Sequence, residues 1–304
     1  MQFLLTHREH DPLSEMKVNQ RLADTLLRYV IPAEDESQRE EIVNLLCLLS
    51  CNKFIVSDNN KMEPIGVGLY PAAALINHSC DPNCVIAYDC DRTGARCLVR
   101  AIKDIPPGEE LTISYIEVNQ TVQARRASLQ ETFFFDCRCP SCESEQQVEE
   151  GSNEEGERER TLQRAEMLRL EALFCRQQGN PIAANEALIE AKELFLKCEP
   201  LQPHEELSRI ALLVDLCNTY AELQQWEEAY DYCTQTLLPL ERIHPPYWPA
   251  VGMQYRLHVQ LALKLEGKED QAKSSALKAV DILTTTHGGD HTLVRELKLQ
   301  LEEL

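Results

Sequence analysis

Apolar side chains recur at intervals of three and four through the first fifty residues, at Leu22, Leu26, Leu27 and Val30 and again at Ile42, Leu45, Leu46 and Leu49. This spacing predicts two amphipathic helices, with Pro32 and the acidic run Glu34-Asp35-Glu36-Ser37 as the break between them. The period then shortens. Residues 51–56 read as a strand, and residues 96–101 and 111–115 alternate or run apolar as strands do, separated by the turn-forming Asp104-Ile105-Pro106-Pro107-Gly108-Glu109-Glu110. A polar run, Asn77-His78-Ser79-Cys80-Asp81-Pro82-Asn83-Cys84, lies between apolar stretches at 72–76 and 85–88 that are expected to be buried. Such a knot needs side chains that satisfy backbone groups internally, which Asn, His, Ser and Asp can do while Pro82 sets the turn. On pattern alone, a satisfied loop is as good a reading as a functional site.

Residues 143–160 hold Glu at eight positions against two Arg, with Val148 the one strongly apolar side chain. The composition predicts an acidic linker that cannot bury enough surface to order itself. From residue 161 to the end the pattern is helical. Gly179, Gln224 and Gly267 each open a small or polar turn followed five residues later by an alanine, Ala184, Ala229 and Ala272, where two helices should approach closely. The alanines are spaced more widely than the ~34-residue tetratricopeptide period. Irregular, stacked TPR-like hairpins are expected, with a plain helical bundle as the alternative.

Composition narrows the classes. The 304 residues are 43% hydrophobic, enough for two domains with real cores. No apolar run has the length of a membrane helix and the start lacks a basic n-region, so a soluble intracellular protein is expected. Most of the thirteen cysteines stand singly in apolar segments; Cys47, Cys175, Cys217 and Cys233 read as small buried hydrophobes in a reducing compartment. A net charge of −20 disfavours binding to nucleic-acid phosphates and suits a basic partner. No strongly basic run is present, which leaves cytoplasm and nucleus both expected.

The chemistry begins with Cys137-Arg138-Cys139-Pro140-Ser141-Cys142. Three thiols in six residues of an intracellular chain point to a metal, and a tetrahedral structural zinc takes four ligands. The fourth must come from elsewhere. A chance cluster of buried or reactive thiols is the alternative.

Three motifs follow one another in the chain: N-H-S-C-D-P-N at 77–83, G-E-E-L-T-I-S-Y at 108–115 and C-R-C-P-S-C at 137–142. Together they resemble the SET-domain protein lysine methyltransferases. The preceding G-V-G-L-Y-P at 66–71 and the helical tail through T-H-G-G-D-H at 286–291 narrow the resemblance to the SET-and-MYND (SMYD) family. The resemblance implies an α+β fold: a partial SET-domain β fold with a helical insert (1–50), a SET core (51–118) and a post-SET zinc segment (119–142). The acidic linker (143–160) and an all-α TPR-like domain (161–304) complete it.

The implied activity is transfer of a methyl group from S-adenosylmethionine to a lysine of a basic protein, such as a histone tail. Tyr115 matches the catalytic tyrosine. Asn77 and His78 match the cofactor-binding pair, with Asn52 a further contact and Phe135 the ring that packs on adenine. Phe54 and Phe133 match the lysine channel. Cys80 becomes the fourth ligand of a structural zinc with Cys137, Cys139 and Cys142; Cys84 and Cys90 are weaker candidates. Two positions depart from the family pattern. Ala74 stands where Ser is common, and Phe133 stands where Tyr is common, so the missing hydroxyl leaves more room around the amine.

The family's MYND zinc module and its first SET strands, with the Gly-rich cofactor loop, have no counterpart ahead of residue 51. A truncated, catalytically impaired scaffold that binds peptide partners through the TPR-like helices is therefore the rival expectation. Zinc-dependent nucleic-acid binding is disfavoured by the acidity.

Overall fold

The computed structural model describes residues 4, 13–30, 37–58, 63–91, 94–118, 120–146, 156–199, 201 and 203–304. The chain forms two compact units. The first comprises Met1–Val99, Ile105–Glu117 and Val122–Glu143; the second comprises Arg100–Asp104, Val118–Thr121 and Ser144–Leu304. Among the described residues no helix is long and apolar enough to cross a membrane.

The first unit opens with helices α1 (Leu13–Tyr29) and α2 (Ser37–Asn52). Both were expected, but the face on which they meet was not. Ala23, Val43 and Cys47 are fully buried between them, whereas Leu22, Val30 and Leu45 are exposed. Small side chains let the two helices approach closely, and Asn19 adds a hydrogen bond to the Cys47 sulfur. The break expected at Pro32 and residues 34–37 lies outside the described residues except for Ser37, which opens α2.

Helix α2 runs on through Cys51 and Asn52, correcting the strand expected at 51–56. The Asn52 amide donates to the Leu48 carbonyl one turn back, 2.8 Å away, and keeps the last turn closed. Strand β1 (Lys53–Ser57) pairs antiparallel with β2 (Pro64–Leu69). The stretch at 72–76 is a short 3-10 turn in which only Ala73 is buried; Leu75 is 58% exposed, against the burial expected.

β4 (Cys84–Asp91) and β5 (Gly94–Ala101) form a second two-stranded sheet, and β4 buries Val85, Ala87 and Tyr88 as its apolar run predicts. A third sheet is minimal. β3 (Asn77–His78) runs parallel to β6 (Thr112–Ile113), pairing Asn77 with Thr112 and His78 with Ile113. The expected strand at 111–115 is thus only two residues long, because its partner lies inside the polar knot. Ahead of it, Pro106-Pro107-Gly108-Glu109 closes a turn with a hydrogen bond from the Glu109 N–H to the Pro106 carbonyl and φ of +90° at Gly108. Pro then Gly at the two central positions is the type II pattern. Helices α3 (Val122–Phe133) and α4 (Pro140–Gln146) follow.

The second unit contains helices α5 (Gly156–Gln177), α6 (Pro181–Lys197), α7 (Pro203–Glu222), α8 (Trp226–Ile243), α9 (Pro249–Ala262), α10 (Glu269–His287) and α11 (Thr292–Glu303). Helices α4 and α5 reach into the acidic stretch at 143–160 from both sides, and residues 147–155 lie outside the described residues. The three expected turns join α5 to α6, α7 to α8 and α9 to α10. Ala184, Ala229 and Ala272 are each fully buried in the helix that follows.

Gly179, Gln224 and Gly267 all take positive φ, +74°, +59° and +75°. At the first two turns the bonding repeats. The N–H of Gly179 reaches the Arg176 carbonyl and that of Asn180 the Cys175 carbonyl; Gln224 and Gln225 bond in the same way to Ala221 and Tyr220. This is the Schellman closure, in which a left-handed residue satisfies the last helical carbonyls.

Helices α5 and α7 are tied by Arg158–Glu205, Arg169–Asp215 and Arg176–Glu222, at sequence offsets of 47, 46 and 46 residues. Those offsets lie within two residues of the 45 that separate the Gly179 and Gln224 turns, so the first helices of the first two hairpins lie side by side close to register. Cys217 and Cys233 are fully buried here, as is Cys47 in the first unit, while Cys175 is only half-buried.

Candidate active site and cysteine cluster

The polar knot is held shut by Asn83, which is 5% exposed. Its N–H donates to Thr112 Oγ1 at 3.2 Å, and its Oδ1 accepts the Thr112 N–H at 2.9 Å. Its Nδ2 donates to the Glu110 carbonyl at 2.9 Å and to Glu109 Oε1 at 3.1 Å. One side chain thereby welds the G-E-E-L-T turn to the N-H-S-C-D-P-N run. The Ser79 N–H extends the parallel ladder to the Ile113 carbonyl, 3.0 Å away, and Ser79 Oγ accepts the Asp81 N–H.

The weld brings His78 and Tyr115 together. The Tyr115 N–H donates to His78 Nδ1 at 3.1 Å, and the rings lie 5.3 Å apart. The Tyr115 hydroxyl donates to the Ile76 carbonyl at 2.6 Å. Burial, helped by the Glu110 carboxylate, pushes the Tyr115 phenol up from its ordinary value, so it remains a neutral hydroxyl. Burial pulls His78 down to about 4; the Cys139 sulfur opposes this and the Arg125 guanidinium adds to it, leaving the imidazole neutral near pH 7.

Two more rings complete the wall. Phe133 lies 4.9 Å from Tyr115, and Phe135 lies 5.9 Å from His78 and meets Tyr115 edge-on at 6.4 Å. Between them Phe134 has φ of +60°, unusual for a bulky residue. In an extended chain successive side chains point to opposite sides. Phe133 and Phe135, two residues apart, both reach Tyr115, while Phe134 lines a separate cavity of about 420 Å³ beside Cys51 and Thr132.

Phe54 and Asn52 stand differently. The Phe54 ring packs edge-on against Tyr70 at 5.9 Å, and Tyr70 continues to Tyr88 and to the Ala95 carbonyl. Asn52 is buried, with its amide on Leu48. Asn77 is exposed, and its amide donates to Glu110 Oε1 at 2.5 Å. Of the expected site residues, Phe133, Phe135 and Cys80 meet Tyr115 or His78, whereas Asn52, Phe54 and Asn77 are held by other partners.

The cysteines converge. The sulfurs of Cys80, Cys137, Cys139 and Cys142 all lie within 4.8 Å of one another, with Cys80 and Cys142 at 3.5 Å. A zinc with ~2.3 Å bonds to sulfur in a tetrahedron sets sulfurs roughly 3.8 Å apart, so the four side chains fit such an ion. Their mutual electrostatics favour one ionised sulfur among neutral thiols. Cys139 is held as a thiolate, at about 3, chiefly by a hydrogen bond from Cys80, while that contact pushes Cys80 up and burial pushes Cys137 to about 11. One sulfur takes the negative charge at its neighbours' expense; a bound divalent ion would let all four ionise. Cys84, a spare candidate, is buried in β4, and Cys90 donates to the Ser57 carbonyl.

Two residues that motif reading overlooked support the cluster. On α3, Arg125 is 3% exposed and its Nη2 donates to Cys142 Sγ at 3.8 Å, while Arg126 Nε donates to the Cys137 carbonyl at 3.1 Å. Adjacent arginines on a helix shortly before a cysteine cluster were the available signal.

The SET domain family model matches residues 5–116. Human histone-lysine N-methyltransferase SMYD3 is 32% identical over 254 residues, covering 83% of this chain and 56% of its own. Human histone-lysine N-methyltransferase SMYD1 is 26% identical, covering 97% of this chain and 63% of its own. Zebrafish (Danio rerio) N-lysine methyltransferase SMYD2-A is 27% identical, with 86% and 60% covered. The chain thus spans 56 to 63% of the length of these curated relatives. With its three motifs in order and these relatives matched along most of its length, the chain belongs to the SMYD-type SET-domain proteins.

Proposed function

We propose that this protein is an S-adenosylmethionine-dependent protein-lysine N-methyltransferase acting on a basic protein such as a histone tail. The observation that carries the reading is the pairing of the Tyr115 hydroxyl with the Ile76 carbonyl, beside the Phe133 ring and one strand from His78. Phe133 and Tyr115 form the face of the lysine channel. Burial there disfavours the ammonium form and releases the nitrogen lone pair, and the two oxygens orient the amine. Tyr115 acts by position, as a neutral phenol, rather than as a base. The cofactor supplies an electrophilic methyl group on a sulfonium; His78 and Phe135, 5.9 Å apart, support its side of the site, and Asn77 and Asn52 would join them by leaving Glu110 and Leu48. A structural zinc on Cys80, Cys137, Cys139 and Cys142 fastens the Phe135 segment to the knot. The net charge of −20 suits a cationic substrate.

The test is calorimetric titration with S-adenosylmethionine, zinc content measured in the same sample, followed by methyl transfer to basic peptides. Cofactor binding, transfer, and loss of transfer in Tyr115→Phe support the reading. Zinc without cofactor binding overturns it for this chain and favours a protein-binding module built on the helical hairpins.

A further inference from the structure

The hydrogen bonds of His78 have only one consistent assignment. A backbone N–H can only donate, so the 3.1 Å contact from Tyr115 makes Nδ1 an acceptor, without a proton. The neutral ring then carries its hydrogen on Nε2, and Nε2 lies 3.3 Å from Cys80 Sγ. The ring therefore donates to the sulfur. Cys80 is in turn one of the four convergent thiols.

We infer that His78 is a positioning residue that couples the metal cluster to the pocket: Nε2–H donates to the metal-bound Cys80 thiolate while Nδ1 anchors the Tyr115 backbone. Four thiolates around a divalent ion leave two negative charges in a buried site, and each donor aimed at a sulfur disperses some of that charge. The Arg125 guanidinium does this for Cys142 and the His78 imidazole for Cys80. Metal ligands depend on such outer partners for orientation and affinity. His78 differs from Arg125 in what lies on its other side, the residue whose hydroxyl meets the Ile76 carbonyl. The ring is thus held in one tautomer and one orientation by its hydrogen bonds to the Cys80 sulfur and from the Tyr115 N–H.

The inference rests on the cluster binding metal, and does not depend on methyl transfer. The test uses the full chain, metal content measured in every sample, with long-range nitrogen–proton NMR of the histidine rings; His78→Gln identifies the His78 signals. Expected are a protonated Nε2, an unprotonated Nδ1, and a ring proton that shifts when cadmium replaces zinc. His78→Ala should weaken zinc binding about ten-fold in chelator competition, with partial recovery in His78→Gln. A metal-loaded chain with the proton on Nδ1 overturns the coupling alone, as does a ring proton indifferent to the metal or zinc affinity unchanged in His78→Ala. A chain that binds no metal overturns the coupling and the zinc site together. The ring measurements on the unsubstituted chain decide the matter even if His78→Ala does not fold.

Discussion

Asn83 and Thr112 clasp each other reciprocally: the backbone N–H of each donates to a side-chain oxygen of the other. Twenty-nine residues separate them in the chain, and the two-residue parallel ladder of β3 and β6 is too short to hold those segments by itself. Asn83→Ala strips the Thr112 N–H and the Glu110 carbonyl of buried partners. The expected loss is about 2–4 kcal/mol, read as a lower denaturation midpoint. Asn83→Asp keeps the acceptor but loses the amide donor and sets a carboxylate against Glu109, so it should recover little.

Gln224 occupies the turn position that glycine fills at Gly179 and Gly267, and it does so at φ of +59°. Its N–H and that of Gln225 close α7 as Gly179 and Asn180 close α5. Gln224→Gly should therefore stabilise the helical unit, by about 0.5–1 kcal/mol, because the relief of left-handed strain outweighs the added freedom of the unfolded chain. Gly179→Ala should do the reverse. Thermal unfolding of both variants gives the sign directly.

Much of this arrangement was readable from residue order. Each turn-then-alanine segment marked a hairpin because a helix crossing tight enough to require alanine leaves that residue invariably buried, as Ala184, Ala229 and Ala272 are. Cys137, Cys139 and Cys142 were readable because few alternatives to metal binding place thiols so close in the chain, whereas Cys80 came from the family resemblance and meets them only in the fold. The packing face of α1 and α2 was not. Periodicity places Leu22 and Leu45 each on the apolar stripe of its own helix, but it cannot say that Ala23, Val43 and Cys47 make the closer contact. Nor could the outer partners of the site be read in full. The adjacent Arg125 and Arg126 on a helix ahead of the cysteines hint at a role, but only the fold shows which atoms of Cys142 and Cys137 they meet, or that Glu110 reaches Asn77.

Two buried histidines of the helical unit give it an acid sensitivity. His258 accepts from Ser275 or donates to it through Nδ1 at 2.9 Å, and its Nε2 lies 3.0 Å from Thr234 Oγ1. The Thr234 hydroxyl also donates to the Tyr230 carbonyl, so it accepts from Nε2–H, and Ser275 donates to Nδ1. Burial, with the Lys268 cation, lowers His258 to about 4; burial, with His291 and Arg100, does the same to His287. In the unfolded chain both titrate near 6.5. Between those values the unfolded state binds more protons, so stability is complete above about pH 6.5 and falls as pH drops toward 4. From pH 7 to pH 5 each imidazole should remove about 2 kcal/mol. His258→Gln should show a shallower decline in urea midpoint over that range; a parallel decline would exclude His258 as a source.

Arg125 is the buried cation beside the cysteine cluster, and its removal leaves the ionised sulfurs without that charge. Arg125→Leu should weaken zinc binding about ten-fold and speed alkylation of Cys142, located by peptide mass mapping. Arg125→Lys keeps the charge and should fall between the two. Arg126→Ala loses the hydrogen bond to the Cys137 carbonyl rather than one to a sulfur. It should lower zinc affinity with less effect on the reactivity of Cys142.

On the proposed activity, Phe133 would set how much room surrounds the acceptor amine. Its ring lies 4.9 Å from Tyr115, the residue whose hydroxyl meets the Ile76 carbonyl, and it brings no hydroxyl of its own to that space. A phenol there would add one oxygen and a hydrogen bond that holds the amine, or a water beside it, in a single orientation. Each added methyl group enlarges the nitrogen and removes a donor, so the phenyl ring should favour repeated transfer. Phe133→Tyr is therefore expected to shift products from di- and trimethyl-lysine toward monomethyl-lysine, with the first transfer little changed. Mass spectra of a basic peptide, taken at equal extents of reaction, measure the ratio. Strictly monomethyl product from the unsubstituted chain would show that Phe133 does not set the limit.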